Sequence, residues 1–489
     1  MKPSLRDEAT RAVDGALSVG IGQGVNVVVG VVMAMLVPRL LGAADYGNWV
    51  LYRSVATLVV GLSALGTAEV VGRFYMPRAA GGDAHGAGRI FKGVVAVRAA
   101  ATAAAALVGF GLIVRSSGAL SSVADGLLLA ASIGLQGMQA AFLLLLYGNG
   151  RLRPVALIQV LGSATVPLAV LLAHSAGGLR WVPAGCAIGD AATAILTVSL
   201  ARPARAWVKG WLGLREYAAM FAVGGVLAAS NAARDLLNSL VPYLMLLRSY
   251  GVEAIGYVGL AARVGMLAFF SLSMVGAALF PALVQVHETE GLARAQRWSD
   301  LASRLGTALL GLIIGAFLLL GRWLVPPVFG AEYRDATPVL AVTLCAVIPL
   351  WLAGQWARLA MLTRQTLAYP AAAAGLLIGY AACFYGLPAD RAGLNAAWSL
   401  LAGASLYALT FAACLQPKLP ARLVGIRPLL LPLLLVGACW PLSRLAASWP
   451  VAAGLTIAWA AAYALGMLLG GSVRPHEIAD ILRALRRRG

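Results

Sequence analysis

Long apolar runs alternate with short polar breaks along the whole chain of 489 residues. Most runs reach about 20 residues, the length that an α-helix needs to cross the hydrocarbon core of a bilayer. A membrane barrel would instead show alternating segments of ~10 residues, which the sequence lacks. The pattern therefore predicts an all-α polytopic membrane protein with about 14 transmembrane helices. The predicted spans are 13–37, 46–72, 91–114, 122–147, 154–174, 181–201, 216–247, 254–286, 303–325, 337–361, 367–388, 393–415, 428–447 and 450–470.

The composition and the distribution of charge agree with this class. Only 12% of the residues are charged, whereas soluble proteins carry about 25%. The net charge of +19 could indicate a nucleic-acid partner, but lysine and arginine are concentrated in every second polar break and near both ends. This is the positive-inside pattern, so we predict a cytoplasmic N-terminus, a cytoplasmic C-terminus and no nucleic acid.

The chain lacks the motifs of common catalytic and metal sites. It has no G-x-x-x-x-G-K-[ST] loop for phosphates, no C-x-x-C pair, and four histidines that lie far apart. We therefore predict a non-enzyme with no catalytic residue, no metal site and no resident cofactor. Any uphill work would draw on an H⁺ or Na⁺ gradient or on an external reaction.

A short polar hinge occurs twice. "PRLLGAADYGNWV" spans 38–50 and "LRSYGVEAIGYVG" spans 247–259, each between two long apolar runs. Shifting the chain without a gap superimposes Arg39 on Arg248, Gly42 on Gly251 and Gly47 on Gly256. Parallel repeats of this kind place a substrate path between two lobes that rock against each other.

The repeat predicts the domain organisation. Two six-helix lobes with pseudo-two-fold symmetry would span 1–201 and 216–415, joined by an amphipathic cytoplasmic linker at 202–215. Two additional transmembrane helices would follow at 416–470, and a basic cytoplasmic tail at 471–489. Tryptophan in the linker and arginine in the tail favour contact with membrane lipids.

The repeated hinge also yields candidate gate residues. Gly42 and Gly251 would allow tight turns that side chains would obstruct. Arg39 and Arg248 would lie at the outer rim, one in each lobe. Two interpretations stay open for this predicted outer gate: the arginines act in gating and substrate exit, or they anchor helix ends at the interface.

Two segments of the sequence resemble those of a known family. "LVPRLLGAADYGNWVLYRSVATLVVGLSALGTAEVVGRFYMPR" (36–78) resembles the first signature of the polysaccharide transporters, the bacterial oligosaccharide-lipid flippases. The segment 214–264, with its G-x-x-x-x-G-Y-x-x-x-A-x-R run, resembles the start of their second lobe. The multidrug and toxin extrusion exporters and the lipid II flippases share the superfamily. The likeness covers about 10–415, and the loop "AADYGNW" departs from relatives that place Pro or Ser before the acid.

This resemblance implies a V-shaped, two-lobe transporter of the bacterial cytoplasmic (inner) membrane. Its relatives move polyprenyl-pyrophosphate-linked oligosaccharides, such as O-antigen, capsule or exopolysaccharide repeat units, from the inner to the outer leaflet by alternating access. A glycan polymerase and glycosyltransferases would be its partners. The alternatives are a cation-coupled multidrug exporter of the same superfamily and a non-transporting partner of a glycan assembly complex.

Charges inside predicted spans are candidates for the site, because each costs at least about 2.5–3.5 kcal/mol at mid-membrane. Arg53 and Arg263 lie in the second helix of each predicted lobe. If both face a central cleft, they would bind a pyrophosphate, since guanidinium groups stay charged and bind phosphate oxygens bidentately. The alternative is an internal ion pair with an acid of a neighbouring helix.

The seventh span carries a polar stripe, "NAARDLLN", in which Arg234 and Asp235 are the charged residues. Arg234 would contact the pyrophosphate, and Asp235 would bind a coupling H⁺ or Na⁺. The equally open alternative is a polar patch packed against the first helix.

Three further charged residues, Glu69, Arg98 and Arg358, each have two interpretations. Glu69 is either a second coupling-ion candidate or the partner of Arg73 one helical turn away. Arg98 and Arg358 lie near the inner ends of their helices. They would either snorkel to the interface or attract the anionic headgroup as further pyrophosphate-binding residues.

Overall fold

The computed structural model describes residues 5–115, 119–149, 151–201, 210–363, 365, 367–388, 391–420 and 426–469. Within its helices, the side chains of 5–23, 223–239, 270–282 and 426–433 and of a few single positions lie outside that description. Most of the predicted linker and the whole predicted tail also lie outside it. The described chain is helical throughout and contains no strand.

Fifteen α-helices follow one another in the described residues. They are α1 (Leu5–Leu62), α2 (Thr67–Val70), α3 (Met76–Ala80), α4 (Ala84–Val114), α5 (Val123–Gly148), α6 (Leu152–Gly177), α7 (Val182–Ala201), α8 (Leu214–Leu247), α9 (Val252–Glu290), α10 (Leu292–Phe329), α11 (Thr337–Leu362), α12 (Ala368–Gly386), α13 (Ala392–Leu415), α14 (Ile426–Leu442) and α15 (Trp449–Leu469). A π-helical turn, Val71–Tyr75, joins α2 to α3.

Each of the predicted spans overlaps one of these helices, which confirms an all-α, multi-pass membrane fold. In the described residues, 10 helical segments are long and apolar enough to cross a membrane. The number is lower than the prediction because the segments Gly24–Leu62 and Arg153–Ala201 each overlap two predicted spans, and because the side chains of much of the predicted span 216–247 lie outside the described residues. The apolar part of α14 that is described, Leu434–Leu445, is shorter than a full span.

Unit 1 comprises Met1–Gly259. Within it, α1 packs against α4, α5, α6 and α8, while α7 packs against α5 and α6. Small residues set the close approach of α6 and α7: a Cβ atom on Gly189 would lie 2.7 Å from the Cα atom of Val166, and one on Gly185 would lie 2.9 Å from that of Val170. Such small-residue contacts are the usual packing device of helices in lipid.

Unit 2 comprises Leu260–Gly489, and α11 is its most enclosed helix. This helix packs against α10 and α13, and its Trp351 donates from Nε1 to the Ser303 carbonyl at 3.4 Å. Trp351, Trp356 and Phe411 belong to one buried apolar cluster. The helices α12 and α13 meet at Gly403, where a Cβ atom would lie 2.7 Å from the Leu376 carbonyl oxygen.

The two additional helices of the prediction, α14 and α15, pack against α10 within unit 2. The Tyr463 hydroxyl donates to the Ala308 carbonyl at 2.9 Å, and the Trp459 indole donates from Nε1 to the Leu435 carbonyl at 3.3 Å. Both rings lie against glycines of α10, namely Gly311 and Gly315. Tyr463 and Trp459, whose rings pack on glycines of α10, therefore attach α14 and α15 to the rest of unit 2.

Replacing Trp459 with phenylalanine should lower the free energy of unfolding by more than about 1 kcal/mol, the net value of one hydrogen bond. The smaller ring loses the hydrogen bond to the Leu435 carbonyl and also the outer ring atoms that lie against Gly315. The thermal unfolding midpoint of the purified protein measures the effect. Trp440→Phe is the control, because that side chain is 41% exposed; equal midpoints for both variants would contradict the prediction.

The compact units do not divide at the predicted linker, because α8 packs against α1 and the boundary falls within α9. The described end of the linker is attached to α4 in unit 1. Lys92 donates to the Gly210 carbonyl at 3.1 Å and lies 4.6 Å from the centre of the Trp211 ring. The Tyr217 hydroxyl donates to the Arg89 carbonyl at 2.7 Å. The limits of the two six-helix lobes stay a prediction.

Candidate functional site

An ion pair between two transmembrane helices lies inside unit 1. Arg53 of α1 donates from Nη1 to Asp190 Oδ2 of α7 at 2.7 Å, and Gln136 of α5 donates from Nε2 to the same oxygen at 3.1 Å. The side chain of Arg53 is 25% exposed, whereas that of Asp190 is only 3% exposed. A buried carboxylate therefore holds an arginine whose side chain is partly exposed.

Local packing explains the position of these side chains. The glycines of α7 that face α6 allow a close approach, so the next residue, Asp190, is enclosed between α5 and α1. Next to Arg53, the Tyr52 hydroxyl donates to the Asp125 carbonyl at 3.1 Å. Asp125 in turn closes a capping box with Ser122 at the start of α5. These contacts orient the α1 face that carries Arg53.

The arrangement suits recognition of an anionic group. An arginine whose orientation is set by a carboxylate loses less freedom on binding, and its planar fork matches phosphate oxygens. The internal ion pair, which the sequence left open as an alternative, is present at Arg53. Its part in pyrophosphate binding stays a prediction, and so does that of Arg263, which is half-buried in α9.

The first polar hinge contains the turn that the sequence predicts. Gly42 interrupts α1 with φ 79° and ψ 166°, a conformation that favours glycine. In the second hinge, the residue with positive φ is Ser249 at 59°, and Gly251 is not among such residues. Gly251 lies in the turn between α8, which ends at Leu247, and α9, which begins at Val252, but no atom lies within 4 Å of a Cβ atom there, so the turn does not require glycine at this position.

The two hinges meet at Gly47 and Gly256. The sequence repeat aligned these glycines, but we predicted no role for them. A Cβ atom on Gly47 would overlap the Val252 carbonyl oxygen and lie 3.0 Å from the Gly256 nitrogen. Reciprocally, a Cβ atom on Gly256 would overlap the Ala43 carbonyl oxygen and lie 3.3 Å from the Gly47 nitrogen. Helices α1 and α9 thus cross at backbone contact. Glycine at equivalent places in both repeats is the signal that could have indicated the crossing.

Other polar residues lie close to these hinges. Arg39 is exposed, and Arg248 donates from Nη1 to the Tyr250 hydroxyl at 3.4 Å. His174 of α6 lies 2.9 Å from Asp45, measured between Nε2 and Oδ2. The roles of Arg39 and Arg248 in an outer gate stay predictions.

The remaining arginines occupy different environments. Arg98 does not extend to an interface: it is 6% exposed and donates from Nη1 to the Thr67 hydroxyl at 3.2 Å. Arg358 is half-buried, and its Nη1 has no partner among the described residues. Arg234 and Asp235 belong to α8, but their side chains lie outside the described residues, so their roles stay predictions.

Glu69 and Arg73 are both described, and they form no ion pair. Arg73 lies within the π-helical turn Val71–Tyr75, which changes the angle at which successive side chains leave the helix. The helical pair expected from their spacing is therefore wrong, and the role of Glu69 as a coupling-ion residue stays a prediction. In the described part of the chain, no three His, Cys, Asp or Glu side chains lie together as in a metal site.

No protein-family model matches the chain, and no curated protein matches its sequence. Solved structures do match its fold. The lipid II flippase MurJ, in an inward closed conformation, aligns over 91% of this chain and 98% of its own, with a TM-score of 0.65 and 11% sequence identity. An inward-facing multidrug resistance MATE family transporter of the MOP superfamily covers 85% and 94%, with a TM-score of 0.60 and 14% identity. The Vibrio cholerae MATE transporter VcmN, in the bent form, covers 84% and 99%, with a TM-score of 0.52 and 15% identity.

The chain therefore shares its fold with the lipid II flippase MurJ and with MATE transporters, as its resemblance to the oligosaccharide-lipid flippases implies. At these identities the likeness concerns the fold and leaves the substrate open.

Proposed function

We propose that this protein is a flippase that moves a polyprenyl-pyrophosphate-linked oligosaccharide across the bacterial cytoplasmic membrane. The sugar–pyrophosphate head would enter from the cytoplasm while the polyprenyl tail stays in lipid. Arg53, Arg234 and Arg263 would neutralise the pyrophosphate, and Asp235 or Glu69 would bind a coupling H⁺ or Na⁺. A glycan polymerase and glycosyltransferases would act on the same substrate.

The observation that carries this proposal is the partly exposed side chain of Arg53, held by the buried Asp190 in a chain with a transporter fold. An exporter of cationic drugs would need exposed acids in its cavity. At this site the acid is 3% exposed, whereas the side chain of the cation is 25% exposed. The chemistry of the pair therefore favours an anionic ligand over a cationic one.

The proposal also assigns a role to the crossing of Gly47 and Gly256. A transporter that works by alternating access needs a contact that forms and opens once in each cycle. Two glycines at backbone contact provide one, because helices that meet without side chains between them can close tightly and separate without repacking a core. We assign this crossing to the outer side of the path.

Translocation by the purified full-length protein tests the function. The protein would be reconstituted into liposomes that contain a polyprenyl-pyrophosphate disaccharide, and an added glycosidase would report the fraction of sugar that reaches the outer leaflet. We expect faster transfer than in protein-free liposomes. A dye-labelled phosphatidylcholine, which has no pyrophosphate, is the control and should not be transferred faster.

A multidrug exporter is the second candidate, since MATE transporters share the fold. The same liposomes would be loaded with a cationic dye, and an H⁺ or Na⁺ gradient would be imposed across them. Gradient-driven movement of the dye without transfer of the lipid-linked sugar would favour the exporter. Transfer of neither substrate would instead support the non-transporting partner of a glycan assembly complex.

A further inference from the structure

The second predicted span is broken between α1 and α2. Leu65 has φ 46° and Gly66 has φ 73°, and helical structure resumes at Thr67 and continues without interruption to Ala80. A positive φ at leucine is uncommon and costly, so the surrounding contacts must hold it in place. Broken membrane helices often form ion sites, because the restarted helix directs its first N–H groups and the positive end of its dipole into the gap.

Four polar side chains are buried here, two that flank this break and two on α4. Arg98 donates from Nη1 to the Thr67 hydroxyl at 3.2 Å, and the hydroxyl oxygens of Ser63 and Thr102 lie 3.5 Å apart. All four are less than a tenth exposed. Gly137 of α5 closes one side of the cluster, since a Cβ atom there would lie 2.9 Å from that of Thr102.

The charge of this cluster is not balanced within the described residues. The Nε atom of Arg98 is buried without a hydrogen-bond partner, and no described carboxylate forms an ion pair with its guanidinium. Burying an unpaired cation is expensive. An anion in contact with Arg98 would remove this penalty.

We propose that the break between α1 and α2 holds a small inorganic anion, of which chloride is the physiological example. Arg98 supplies the charge through its Nε–H group, and the hydroxyl groups of Thr67 and Thr102 supply neutral donors, whereas the Ser63 hydroxyl already donates to the Val60 carbonyl at 2.7 Å. A monovalent, spherical anion fits this donor set better than a phosphate, whose several oxygens would require more charged partners. The site lies within unit 1 and does not depend on the proposed flippase function.

Anion-dependent stability tests the site. The thermal unfolding midpoint of the purified full-length protein would be measured in sodium chloride and in sodium gluconate at equal ionic strength and pH. A ligand that binds only the folded state stabilises it in a saturable manner, so we expect chloride and bromide to raise the midpoint by roughly 2 °C or more. Crystals grown in bromide should show an anomalous peak beside Arg98.

Three variants assign the effect to this cluster. Arg98→Gln should abolish the chloride dependence, and Thr67→Val should weaken it by removing one donor while preserving the shape. Arg73→Gln is the matched control, since it removes the same charge from an exposed neighbouring position and should keep the full effect. If Arg98→Gln does not fold, the chloride dependence of the unfolding midpoint of Thr67→Val alone tests the proposal.

Three results would overturn the proposal. The first is a wild-type midpoint that responds only to ionic strength. The second is a chloride effect that remains complete in both Arg98→Gln and Thr67→Val. The third is an effect of inorganic pyrophosphate, through Arg98, at lower concentration than chloride, which would make this a phosphate subsite.

Discussion

Alanine at Gly47 is expected to slow translocation about tenfold, because its Cβ atom would overlap the Val252 carbonyl oxygen where α1 and α9 cross. The obstacle is backbone and cannot rotate away, so the helices must separate. Overpacking of this kind costs about 1–3 kcal/mol. If the cost falls only on the crossed state, its population relative to the open state falls by about 5–150-fold. The translocation rate in liposomes measures the effect.

Substitutions at the partner glycine, Gly256, and at a control position on α1, Gly61, extend this test. Gly256→Ala should have a similar effect, because its Cβ atom would overlap the Ala43 carbonyl oxygen. The two substitutions should not add, since one separation of the helices accommodates both. Gly61→Ala is the matched control, as no atom lies within 4 Å of a Cβ atom there. Wild-type rates in both Gly47→Ala and Gly256→Ala would show that the crossing takes no part in transport.

The ion pair of Arg53 and Asp190 is the second site where a large effect is expected. Arg53→Gln leaves a carboxylate that is 3% exposed without its cation, which typically costs about 3–5 kcal/mol. Asp190→Asn should cost less, because the unpaired arginine is 25% exposed and can be hydrated. The double variant removes both charges and should recover most of the stability. Thermal unfolding of the four proteins measures this cycle.

Transport by the same variants separates a structural role of Arg53 from a role in binding. If Arg53 contacts the pyrophosphate, the double variant should be stable yet transport slowly, whereas Asp190→Asn should keep substantial activity. The exposed pair of Arg294 and Glu290, 3.3 Å apart, is the control; Arg294→Gln should cost about 1 kcal/mol or less. A double variant that transports like the wild type would restrict Arg53 to a structural role.

Several features of the fold could be predicted from particular residues. Apolar runs of sufficient length must become helices in lipid, because backbone groups there can only be satisfied within the helix. The bend at Gly42 followed from a glycine at a polar break, and the positive φ confirms it. The second hinge also contains a turn, but the residue that takes a positive φ there is Ser249 and not Gly251.

The site was less accessible to prediction. Sequence reasoning could recognise Arg53 as an unusual charge, since a cation in hydrocarbon requires an explanation. It could not find Asp190 as the partner, because the two residues are 137 positions apart. Arg98 was expected near an interface, but the break between α1 and α2 gives it a buried hydroxyl instead.

The sequence by itself determined the class of protein and the approximate limits of its helices, because these depend on local hydrophobicity and length alone. It also indicated that two hinges are related. Only the tertiary structure decided that Gly47 meets Gly256 and that Asp190 holds Arg53. Such contacts depend on the rotation and separation of packed helices, which small residues and side-chain shapes set jointly across the fold, and no local pattern of the chain records them.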